Sequence, residues 1–112
     1  MVCTDIDGDA AARTADSLTG PGTAQSATLD VTDAAAVRDT VDGLVARRGR
    51  VDLMFNNAGI AWGGDTELLT LEQWNAIIDV NIRGAVHGVI ATYPVMLRQG
   101  HGHIITPRRW PG

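Results

Sequence analysis

Apolar positions in this chain come in short blocks divided by polar, glycine-rich punctuation, and the blocks alternate between two kinds. MVCT reads as a short buried strand. The segment DGDAAARTADSL is alanine-rich and helical, and it stops at Gly20-Pro21-Gly22. AQSATLDV predicts a second strand, with Thr28, Leu29 and Val31 in a half-buried pattern. From Asp33 to Arg48, Val37, Val41, Leu44 and Val45 fall on one helical face. Arg47 and Arg48 then suit the helix dipole, and Gly49 is the stop. VDLMF is an unbroken apolar run, as expected of a strand covered on both faces. After the polar loop NNAGIAWGGD, Thr70 with Gln73 forms a capping box that opens a long helix. The apolar stripe of that helix runs Trp74, Ile78, Ile82, Val86, Val89 and Tyr93, and Pro94 should kink it or end its regular part. HIIT closes the series as a final strand.

This alternation is a βαβ series. It predicts an α/β fold in three layers, with a parallel sheet, helices on both faces and right-handed crossovers. In such sheets ligands bind just beyond the carboxyl ends of the strands, where this sequence places Asp5, Asp30 and Asn56-Asn57.

Composition narrows the partners. The 112 residues make room for one small domain, and 45% are hydrophobic, so the chain has a globular composition. A net charge of −4 offers no electrostatic footprint for nucleic acid or an anionic membrane. The longest apolar region is broken by His87, Gly88 and Pro94 and is too short to span a bilayer. Without a signal-like N-terminus, a cytoplasmic location is the expectation. Cys3 is the only cysteine, so no internal disulfide forms and no thiolate zinc cluster exists.

Each candidate residue has a chemical and a structural reading. Asp5 ends the first strand, where a carboxylate can accept hydrogen bonds from ribose hydroxyls and would repel a 2′-phosphate; it can equally be a turn acid. Asp7 and Asp9 read as helix-start acids. The spacing of Asp5, Asp7, Asp9 and Asp16 imitates a calcium loop, but Ala10 stands where that loop needs glycine and Arg13 adds a positive charge. No metal site is expected there, nor at His101 and His103, which have no acidic or sulfur neighbours in sequence. Asn57, Ala58 and Gly59 form a turn whose glycine lets the backbone approach a ligand closely. Asn81 lies one helical turn from Ile78 and Ala85, on the apolar side, where a buried amide needs partners. His87 reads as a surface or partner-facing residue.

Taken together, VCTDID, LDVTD, VDLMFNNAG, WNAIIDVNIRG and GHGHII resemble the middle of a short-chain dehydrogenase/reductase. The resemblance covers residues 1 to about 105 and implies a partial Rossmann fold. It also implies hydride transfer between NAD(P) and an alcohol or carbonyl substrate. On that basis Asp5 would hold the adenosine ribose, favouring NAD over NADP, and Asp30 and Val31 would contact the adenine. Asn57, Ala58 and Gly59 would lie near the ribose, and Asn81 would support a proton relay. The long helix is a usual pairing surface in the family, so a homo-oligomer is a further implication.

Other marks of the family are missing from this sequence. Its first strand and TGxxxGxG loop would precede Met1. Its catalytic Ser and Tyr-x-x-x-Lys pair are not found: the chain has no lysine, and its one tyrosine, Tyr93, stands in the wrong helix. The expectation is therefore an adenosine half-site without turnover, the alternative being a non-catalytic interaction module or truncated gene product. With the shared central strand absent, the strands at Val2 and Val51 should show bare edges, and the chain should be marginally stable.

Residues 106–112, TPRRWPG, depart from the family pattern. One codon choice for the PRRWPG segment encodes Ala-Ser-Met-Ala-Gly when its first two bases are dropped, restoring a family-like serine. Sequencing of the coding DNA tests this reading. It predicts a serine codon in that second frame near codon 106, and a second frame without one excludes it.

Overall fold

The computed structural model describes residues 1–20, 22–56 and 69–106. These divide into two compact units, residues 1–30 and 31–112. In the first unit, strand β1 (Val2–Asp5) leads into helix α1 (Gly8–Ser17) and then strand β2 (Gln25–Thr28). The strands run parallel, with Cys3 opposite Ser26 and Asp5 opposite Thr28. Asp7 caps α1, its carboxylate accepting from the Asp9 and Ala10 backbone N–H groups, as expected of a helix-start acid. Cys3, Ala11 and Leu29 are buried.

The second unit contains helix α2 (Ala34–Arg48), strand β3 (Leu53–Phe55), helix α3 (Leu71–Ile78), helix α4 (Gly84–Gln99) and strand β4 (His103–Ile105). Strands β3 and β4 are also parallel, with Met54 opposite Ile104. Among the described residues β1 pairs only with β2 and β3 only with β4. α2 starts on an Asp33 cap and ends on Gly49, whose φ of 78° is the left-handed closure glycine accepts without strain. The Thr70–Gln73 capping box forms as its spacing predicts.

The core of this unit joins Val41 of α2, Val51, and Val95 and Met96 of α4, with Leu44, Val45, Met54, Ala91 and Ile104 around them. Val37 is buried as well, so the predicted face of α2 is the one that packs.

Two expectations need correction, for VDLMF and for the apolar stripe of the long helix, and one of the two readings of Pro94 is excluded. VDLMF is not covered on both faces: Met54 and Ile104 are half-buried, but Leu53 and Phe55 are 56% and 51% exposed. Period two in a strand with one packed face leaves its alternate residues outside whatever their polarity. Pro94 does not end its helix, because α4 continues to Gln99. A proline inside a helix costs about 3 kcal/mol; the next two residues, Val95 and Met96, enter the core and offset it. The apolar stripe from Trp74 to Tyr93 is not the packing face of the long helix. Ile82, Val86 and Tyr93 are exposed, whereas Gly84, Gly88, Thr92, Val95 and Met96 are buried.

The end of α4 is tied to the start of β3 by one side chain. Gln99 Oε1 accepts from the Val51 N–H at 2.8 Å, and Gln99 Nε2 donates to Val51 O at 2.8 Å and His101 O at 3.2 Å. The amide thereby meets both backbone groups of a buried residue, as a neighbouring strand would. Gln99→Ala should lower the urea unfolding free energy by about 1–3 kcal/mol, since it strands buried polar groups. Equilibrium unfolding followed by circular dichroism measures this; an unchanged midpoint would show that water replaces the amide.

Candidate functional site

The candidate residues lie at the carboxyl ends of strands, and each unit has its own set. In the first unit, β1 ends at Asp5, where the backbone turns sharply: the Asp7 N–H donates to Asp5 Oδ1 at 3.0 Å, and the Leu29 N–H donates to Asp5 O at 2.8 Å. This Asx-type turn orients the carboxylate, which remains exposed. The turn reading of Asp5 is thus correct, and it does not compete with a ligand role, because a carboxylate has about four acceptor positions. Gly8 packs on Thr28, whose hydroxyl occupies the space a β-carbon would need. Asp30 is exposed and has an interaction partner.

In the second unit, Val31 is half-buried and held at two points by α4. His87 Nδ1 lies 2.7 Å from Val31 O. One turn earlier on the helix, a β-carbon on Gly84 would sit 2.6 Å from Val31 Cγ2. His87, read from the sequence as surface or partner-facing, is thus half-buried against Val31. Its position three residues after Gly84 puts both on one helix face; the spacing was legible, but the loop they meet was not.

Asn56, directly after β3, makes the second junction with α4. Its backbone N–H donates to Ile105 O at 2.8 Å, extending the pairing with β4. Its Nδ2 reaches Ala85 O at 3.4 Å and Thr106 Oγ1 at 3.3 Å. Gly88 faces it, with Asn56 Oδ1 standing where a β-carbon would project. One side chain thus spans the end of β3, the backbone of α4 and the residue after β4. The neighbouring candidates Asn57, Ala58 and Gly59 lie outside the described residues.

Asn81 falls in a π-helical turn, Asp79–Arg83, between α3 and α4. There the Gly84 N–H donates to Asp79 O, five residues back, and Arg83 pairs with Asp79 across the turn. A π turn inserts one extra residue into the helical count and frequently marks functional positions. Asn81 is half-buried and has an interaction partner. The insertion shifts register between the two helices, so an unbroken 3.6-residue stripe through Ile78 and Ile82 describes neither.

The chain as a whole is similar to known proteins. A family model described as short chain dehydrogenase matches residues 1–107. The chain belongs to the short-chain dehydrogenase family. An NADP-dependent 3-hydroxy acid dehydrogenase of Escherichia coli is 37% identical over 90 residues, a match covering 76% of this chain and 36% of that protein. The chain therefore spans about a third of that relative's length. A short-chain dehydrogenase/reductase from Burkholderia phymatum, solved in complex with NAD, is 36% identical with a TM-score of 0.83, over 92% of this chain and 37% of that one. A metagenomic short-chain oxidoreductase in complex with NADP is 31% identical with a TM-score of 0.76, over 92% and 48% of the two chains. The fold is accordingly of the α/β Rossmann type, and proteins similar to this chain are solved with either nicotinamide cofactor. Among the described residues no helix is long and apolar enough to cross a membrane.

Proposed function

We propose that this chain carries the adenosine-binding side of a short-chain dehydrogenase and binds NAD in preference to NADP. The observation that carries the reading is Asp5: an exposed carboxylate at the carboxyl end of a parallel strand, oriented by the Asp7 N–H. Such a group accepts from vicinal ribose hydroxyls and repels a 2′-phosphate. Asp30 and Val31, following β2, would lie against the adenine. Asn57, Ala58 and Gly59 would let the backbone approach the ribose, and Asn81 would support proton transfer behind the reacting groups. When bound, NAD supplies the hydride acceptor for an alcohol, or in reduced form the donor for a ketone.

In this reading the chain resides in the cytoplasm and the family substrate is a small alcohol or ketone. Pairing of two copies through the long helix belongs to the same picture, and the exposed Ile82, Val86, Ile90 and Tyr93 support it. A second reading, nucleotide binding without turnover, is favoured by a specific observation: the chain has no lysine, and Tyr93 is exposed on α4.

Calorimetric titration with NAD and NADP tests the proposal. The unsubstituted chain should prefer NAD by about tenfold or more, and Asp5→Ser should remove most of that preference, an effect on the order of 1.4 kcal/mol. Equal affinities before and after substitution would refute the role of Asp5. Alcohol oxidation by this chain would refute the reading without turnover.

A further inference from the structure

We propose that His87 is a positioning residue for the cofactor, fixing the Val31 backbone against α4 so that the segment after β2 is held in place where it would meet the adenine. The inference rests on the NAD-binding reading above. A backbone carbonyl can only accept, so at 2.7 Å from Val31 O the Nδ1 of His87 is the donor and carries a hydrogen. The second restraint is independent of the first. Gly84 lets α4 approach until Val31 Cγ2 fills the space of a β-carbon, with Val31 Cβ at 3.1 Å from the same point. The helix thus grips one residue twice, by its carbonyl through His87 and by its side chain through Gly84.

Val31 follows a strand and precedes the Asp33 cap of α2, a stretch with no strand partner of its own. Tying it down before a ligand arrives removes ordering cost from the binding step. His87 need not touch the nucleotide to do this.

The geometry selects the test. An asparagine amide places its N–H where Nδ1–H stands, a glutamine amide reaches the position of Nε2, and leucine offers no donor. His87→Asn, His87→Gln and His87→Leu are compared with the unsubstituted chain by calorimetry with NAD and with ADP. Leucine and glutamine should weaken both ligands about tenfold, and asparagine should restore them to within about twofold. Undiminished affinity in His87→Leu overturns the proposal. So does an equal loss in all three variants, which would mark general packing. Failure of the unsubstituted chain to bind either ligand overturns the cofactor-site reading and this inference with it, and is distinguishable because no substitution is involved. Imidazole nitrogen-15 shifts of the unsubstituted chain give a check that depends on neither variant folding nor nucleotide. The Nδ1-protonated tautomer is expected, and the Nε2-protonated tautomer overturns the clamp.

Discussion

Helix α4 lies so close to its neighbours that its contact face has no room for β-carbons at two positions. Gly84 meets Val31 and Gly88 meets Asn56, and Thr92, fully buried one turn further on, returns its hydroxyl to Gly88 O at 2.7 Å. The same face then reaches Val95 and Met96 in the core. Small residues at intervals of four let neighbouring side chains press against the α4 backbone, and large residues at the far end supply the buried apolar area. The placement of the loop after β2 and of the residue after β3 follows from that approach.

Close approach also makes short polar links possible. His87 reaches the Val31 carbonyl, Asn56 reaches Ala85 O, and Gln99 closes on both backbone groups of Val51. Three side-chain contacts thus connect α4 or its end with non-helical segments of the unit. By contrast, the exposed ion pair of Arg50 with Asp52 at 3.0 Å, with His101 3.6 Å from the same carboxylate, contributes little, because water screens it.

The opposite face of α3 and α4 is apolar and bare, as is the outer face of β3 with Leu53 and Phe55. The polar groups at the strand ends keep their orientation because each is held within its own unit: Asp5 by its turn, Asn56 by β4 and α4.

Local rules were fully legible in the sequence. The caps at Asp7 and Thr70, the buried face of α2 and the βαβ alternation depend on neighbours within a few residues, and NNAG with the VN-x-x-G segment was enough to recognise the family. What hydropathy could not reveal was which side of the long helix packs. A π turn resets the helical phase at Asn81, and the contact face is built from glycine and threonine, which carry little hydropathy signal. His87 illustrates the same limit: its type and spacing were visible, but its partner is a carbonyl 56 residues away in sequence. Composition and short-range pattern determined the elements and the lineage. Only the tertiary structure decided the close helix approach, because that depends on the space a missing β-carbon leaves to a distant part of the chain.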